Sequence, residues 1–217
     1  MENEIVAFSG GSGVGKTTLL LTLDGMQCPS GKTVTVMSSF CTRGLREDAE
    51  AFRRHISKAE FMKLSQNSEF AQQICYGGQH YALCKVDIDE ALLKGETVAV
   101  DVLADGIRQL KKRYSVRAVY LYARPKVLLY RLAARNKPEE LRFRLEHSAV
   151  TLKEALECGL YSLFLDNSED FPRTIAKTVD FLDGNPTSSD PVNFESYMEE
   201  LREVMAFLDE NGGVFHA

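Results

Sequence analysis

A chain of 217 residues and 24.3 kDa has the length of one domain with a full core of its own, without disulfides or metal ions as staples. Hydrophobic residues make up 44% and charged residues 26%, with 15 glycines and 6 prolines, which excludes fibrous and low-complexity classes. A net charge of −5 argues against general nucleic-acid or anionic-membrane binding, though not against a local basic pocket.

Ile5-Val6-Ala7-Phe8 is a short apolar strand that ends in Ser9-Gly10-Gly11-Ser12-Gly13, where no helix can begin. From Lys16 the pattern turns helical, with Leu19, Leu20 and Leu23 on one side. Thr33 to Met37 alternates and is β-branched, a second strand. Arg46 to about Gln73 is charged and reads as helical, its apolar points being Phe52, Ile56, Phe61, Leu64 and Phe70. Ile88 to Leu93 is a helix closed by Gly95. Thr97 to Val102 is a buried-type strand, Ile107 to Tyr114 a helix, and Val116 to Tyr122 another strand. Pro125 opens a helix to about Arg135, and a longer one follows Pro138 to about Cys158. Leu160 to Leu165 is the last strand and Phe171 to Leu182 the last helix of this unit. Strands alternating with helices predict an α/β fold, a parallel sheet with helices on both faces. Residues 1–183 form one domain, the turn-rich 184–192 a linker, and 193–217 an accessory helix (Phe194 to Leu208) with a tail.

The segment Gly10, Gly11, Ser12, Gly13, Val14, Gly15, Lys16, Thr17 matches G-x-x-x-x-G-K-[ST] in full, with Thr18 continuing into the helix. Its glycines let successive backbone N–H groups turn inward around an anion, and the helix that follows adds its positive end. Lys16 would reach the β- and γ-phosphates of ATP, and the Thr17 hydroxyl would ligate Mg²⁺. A dinucleotide fingerprint started at Gly11 finds Lys16 in place of its last glycine. A nucleophile elbow started at Gly10 ends on Val14, so Ser12 is no nucleophile. Asp101 closes the apolar run Val98-Ala99-Val100, where a carboxylate faces the crevice beside the loop and can hold Mg²⁺ or cap the next helix.

Arginine is the other signal. Arg43 and Arg46 stand three apart just after the second strand, and Arg131, Arg135, Arg142 and Arg144 cluster near the long helical pair. Guanidinium groups suit phosphoryl transfer between two phosphates, since their charge is constant and their fork bidentate. An acceptor phosphate is already an oxyanion and needs no general base.

On these residues the chain resembles guanylate kinases and their relatives, from about Ile5 to Leu182. Ser39-Phe-Cys-Thr-Arg43-Gly-Leu-Arg46 is similar to the family's phosphate-acceptor segment, and Glu69-Phe70 and Gly78-Gln-His-Tyr81 follow its order. The resemblance implies a P-loop kinase fold with small acceptor-binding and lid subdomains. It also implies that Ser39, Arg43, Arg46 and Tyr81 hold the acceptor's phosphate, while Lys16, Arg131, Arg135 and Arg144 act on the transferring group. The cofactors implied are ATP and Mg²⁺, and the partner is a small phosphorylated molecule.

The positions at which the family reads guanine carry Gln72, Leu83 and Leu103 in place of Glu, Ser and Asp. Losing such hydrogen bonds lowers discrimination by a factor of about 10⁴. The family's second phosphate-binding tyrosine is missing between Arg46 and Phe61, where Arg53, Arg54 or His55 can substitute. The expectation is a kinase of nucleoside-monophosphate-kinase type that has lost guanine. The alternatives are a phosphosugar kinase resembling those that act on ribose 1,5-bisphosphate, and a protein-interaction module without turnover.

Other features imply less. Cys28, Cys41, Cys75, Cys84 and Cys158 are odd in number and show no framework spacing. Met1-Glu2-Asn3-Glu4 lacks a signal's basic region, and no stretch approaches the roughly 20 apolar residues of a membrane span. The expectation is a reduced, cytoplasmic protein, monomeric or homodimeric. His147 and His216 read as surface residues, and Cys75, His80 and Cys84 have no zinc-site spacing.

Overall fold

The computed structural model describes residues 4–44, 51–133 and 138–211. In chain order the elements are β1 (Ile5–Ser9), α1 (Lys16–Leu23), β2 (Val34–Val36), β3 (Ser39–Cys41), β4 (Arg53–His55), α2 (Lys58–Gln66), β5 (Phe70–Tyr76) and β6 (Gln79–Cys84). There follow α3 (Lys85–Leu93), β7 (Thr97–Asp101), α4 (Ala104–Leu110), β8 (Val116–Tyr122), α5 (Pro125–Ala133), α6 (Pro138–Glu157), β9 (Leu163–Asp166), α7 (Phe171–Leu182) and α8 (Phe194–Glu210).

Five strands form a parallel sheet in the order β2-β7-β1-β8-β9. Alternate residues of its central strands enter different cores, because successive side chains of a strand point to opposite faces. Val6 and Phe8 of β1 join α1 and α5 to α8, whereas Ile5 and Ala7 join α3 and α4. Burial on both faces explains why these strands read as unbroken apolar runs.

A second sheet, β4-β3-β6-β5, lies outside that pattern. Its β3 and β4 are parallel, while β6 runs antiparallel to both β3 and β5. Here the structure corrects the sequence reading, which took Arg46 to Gln73 as one helical stretch. Among the described residues of that stretch Lys58–Gln66 alone is helical, started by a Ser57–Glu60 capping box, with β4 before it and β5 after it. β4 pairs with β3, and its charged residues imitate a solvated helix, while β5 pairs with its neighbour β6 through a Gly77-Gly78 hairpin that the helical reading passed over. Two smaller differences are that α4 begins at Ala104 and that the last strand begins at Leu163.

Segment 184–192 lies along β9. Asp190 N–H donates to the Phe164 carbonyl and Asp166 N–H to the Asp190 carboxylate, which also pairs with Arg173 and Lys177. Tyr122 Oη donates to the Pro191 carbonyl, so this stretch is bonded to two strands before α8 begins.

Candidate functional site

The loop between β1 and α1 needs backbone that only glycine supplies. Gly15 has φ 97°, and a Cβ there would fall 2.5 Å from Asn167 Nδ2. The half-buried Lys16 donates its ammonium to the carbonyls of Gly10 at 2.7 Å and Gly11 at 3.1 Å. Burial lowers the Lys16 pKa, with Asp101 opposing that shift and Arg53 adding to it. Thr17 and Thr18 lie exposed in the first turn of α1.

Two helices close on the loop. From α5, Arg131 donates to the Asn167 carbonyl at 2.8 Å, and its other nitrogen lies 3.5 Å from the Val14 carbonyl. From α6, Arg144 donates to Ser12 Oγ at 2.9 Å. Asn167 Nδ2 donates to the same Val14 carbonyl at 2.8 Å, while its Oδ1 is buried with no partner among the described residues. The sequence reading missed Asn167. Its signal was its place just past the carboxyl end of a parallel strand, where ligands of open α/β sheets collect. Arg135 falls outside the described residues.

On the other side of the cleft the small sheet carries one cross-strand row. Arg53 pairs with Ser39, Ser39 with Leu83, and Leu83 with Gln72, so the four side chains share a face. Of the three candidate substitutes, Arg53 is the one whose side chain lies on this row. Its guanidinium donates to Ser39 Oγ at 2.6 Å and to Asp101 Oδ2 at 2.9 Å, which joins the small sheet to the end of β7. Phe52, just before it, adopts φ 60°, a strained conformation for a bulky residue. Arg54 instead pairs with Asp87 at 2.6 Å, and His55 Nδ1 lies 2.7 Å from the Arg43 carbonyl. Thr17, Arg43, Arg53 and Asp101 line a single cavity of ≈ 90 Å³. Tyr81 is half-buried on β6, opposite Cys41. Arg46 lies outside the described residues.

The far end of the row is closed. Leu83 is 1% exposed, in the core that contains Met37, Ile88 and Ile107, and Gln72 is 3% exposed with its amide against Gly106. Leu103 stands partly exposed at the start of α4. Leu83→Ser therefore removes core volume and buries a hydroxyl. Its expected effect is a loss of about 2–4 kcal/mol of unfolding free energy, measured by urea titration.

His147 is a surface residue, as read, partly covered by two exposed aromatic neighbours, Tyr76 and Phe143. It is half-buried, stacks on Phe143 with ring centroids 5.6 Å apart, and has Nε2 3.1 Å from Tyr76 Oη. That contact joins α6 to the β5–β6 hairpin across the cleft.

The family model described as guanylate kinase matches residues 2–184. The chain belongs to the guanylate kinase family. Among curated guanylate kinases it is 31% identical to that of Gloeobacter violaceus over 157 residues, which covers 69% of this chain and 74% of the relative. It is 28% identical to that of Deinococcus radiodurans over 155 residues, covering 70% of this chain and 59% of the relative. The match spans less than two thirds of the Deinococcus relative and 65% of the Mycoplasma genitalium one. The crystal structure of guanylate kinase from Anaplasma phagocytophilum superposes with TM-score 0.60 at 18% identity, covering 99% of this chain and 97% of that one. The likeness in structure is one of fold. Within the guanylate kinase family, this member has Arg53 bonded to Ser39 and Asp101, and an apolar side chain at Leu83.

Proposed function

We propose that this guanylate kinase family member is an ATP-dependent kinase that transfers the γ-phosphoryl group to a small phosphorylated acceptor, nucleoside monophosphate-like in class, without guanine specificity. The observation that carries the reading is the cavity in which Thr17 and Asp101 from the loop side meet Arg43 and Arg53 from the acceptor side. Two guanidiniums suit an acceptor phosphate, and a glycine loop with a desolvated lysine suits a donor polyphosphate.

In this reading Lys16 exchanges the Gly10 and Gly11 carbonyls for β- and γ-phosphate oxygens. Ser39, Arg43, Arg46, Arg53 and Tyr81 hold the acceptor phosphate, whose oxygen attacks the γ-phosphorus as the bond to the β-bridging oxygen breaks and ADP leaves. Arg131, Arg135 and Arg144 offset charge on the phosphoryl group in transit. Asn167 Oδ1, buried without a partner among the described residues, accepts from a donor group of the nucleotide. A hydroxyl and a carboxylate on one cavity are the hard oxygen donors Mg²⁺ takes alongside phosphates, so Thr17 and Asp101 fit the ion. Bound there, Mg²⁺ supplies charge neutralisation at the β- and γ-oxygens.

A second reading, a phosphosugar acceptor, is favoured by the closed end of the row: Leu83 and Gln72 leave little open wall for a base. Coupled ADP release with Mg-ATP, run against nucleoside monophosphates, their deoxy forms and phosphosugars, separates the two. Turnover with one class other than guanylate is the expected result. Preferred turnover of guanylate overturns the specificity reading. Tight ATP binding without turnover on any acceptor replaces the kinase by a nucleotide-gated binding module.

A further inference from the structure

The family match ends at residue 184, yet α8 packs on both helices that flank the phosphate loop. Its Tyr197, Leu201, Val204 and Leu208 enter the core that holds Leu128 of α5 and Leu145 of α6. Glu200 accepts from Lys126 N–H at 2.9 Å and Glu203 pairs with Lys126 Nζ at 2.8 Å, while Asp209 pairs with Arg142. One helix thus grips the start of α5 and the outer side of α6.

The loop lies directly on those two helices. A Cβ on Gly13 would fall 2.9 Å from Leu132 Cδ2, and one on Gly11 would fall 3.2 Å from Ser148 Cβ. Ser148 stands one turn beyond Arg144, so the depth of α6 sets both the wall behind Gly11 and the reach of Arg144 to Ser12. A buried hydrogen bond of 2.8 Å between Tyr197 Oη and Ser148 Oγ joins α8 to α6 at that point. Ser148 donates its own proton to the Leu145 carbonyl at 2.7 Å, which leaves Tyr197 as the donor. Burial pushes the Tyr197 pKa up to about 12, so that proton stays in place at neutral pH.

We propose that α8 is a working part of the nucleotide site, with Tyr197 as a positioning residue: its bond to Ser148 sets α6 behind the phosphate loop and thereby the loop's fit to nucleotide phosphates. The inference rests on the reading of the loop as a nucleotide site. The test is titration calorimetry of Mg-AMP-PNP with the full chain, alongside thermal melts without nucleotide. Tyr197→Phe keeps the ring and removes the hydroxyl, and its expected Kd rises about five-fold, the equivalent of one hydrogen bond. Ser148→Ala should weaken binding at least as much, since it also removes the bond to the Leu145 carbonyl, and adding Tyr197→Phe to it should weaken binding no further, because the shared bond is already gone. Lower melting temperatures with an unchanged Kd mean a merely structural role and overturn the proposal, as does additive weakening in the double variant. A wild-type chain that binds no nucleotide overturns the functional reading and this one with it. Tight wild-type binding matched by Tyr197→Phe overturns the positioning role alone.

Discussion

Lys16→Ala is expected to lower phosphoryl transfer by about 10²–10³-fold, the effect of deleting one pre-aimed donor from a transition-state site. The side chain is already in place, desolvated and held on two loop carbonyls, so a phosphate needs only to displace weak neutral acceptors. Loss of turnover with the melting temperature retained supports the kinase reading. A variant with at least a tenth of wild-type turnover would show that the loop is not where the phosphoryl group is handled. The same lysine gives the site a pH signature. Burial lowers its pKa in the free protein, and bound phosphates raise it again. Its contribution to nucleotide affinity is therefore complete below the pKa of the free protein and disappears as pH rises through that of the complex. Calorimetry in two buffers of different ionisation enthalpy should detect proton uptake on binding at alkaline pH.

Arg53→Ala is expected to raise the acceptor's KM by about 10–100-fold and to leave the KM of ATP within about two-fold, because charge-assisted bonds to phosphate are each worth about 1.5–3 kcal/mol. The residue touches the acceptor side through Ser39 and the loop side only through Asp101. Removing it also takes from the Asp101 carboxylate its guanidinium partner, so Arg53→Lys serves as the control. Lysine keeps the charge and loses the fork, and should recover only part of the acceptor affinity. Equal changes in both KM values would place Arg53 outside acceptor recognition and leave it a structural tie between β4 and β7.

Much of this molecule is legible in the primary structure. The parallel sheet was readable because strands buried on both faces are apolar runs, and the helices between them carry one-sided periodicity. Phe171 to Leu182 has the bounds read for it, since Asp170 caps one end and Pro172 fits only the first turn. The β3–β4 side of the small sheet was not readable, whereas the β5–β6 hairpin with its Gly77-Gly78 turn carried a signal that was passed over. Three-residue strands such as β3 and β4 have too few residues to show a period, and their partners lie far along the chain. Lys16, Thr17 and Asp101 stand where the chain pattern placed them, at the start of a helix and the end of a strand, because those are local features. Arg53 was one of three adjacent candidates, and only the pairing of β4 with β3 turns it, rather than Arg54 or His55, onto Ser39 and Asp101.

What the sequence alone determines is therefore the fold class, the phosphate loop and the residue identities Gln72, Leu83 and Leu103 on which the proposed loss of guanine specificity rests, all carried by contiguous residues or by the identity of single ones. What only the tertiary structure decides is how residues far apart in the chain meet. Arg53 reaches Asp101 across 48 residues, and Arg144 reaches Ser12 across 132. Tyr197 is joined to Ser148 across 49, from a helix that the family match leaves out. A hydrogen bond acts over about 3 Å and leaves no period or spacing in the chain that makes it. Its partners become visible only when the sheets and helices have set the distance between them.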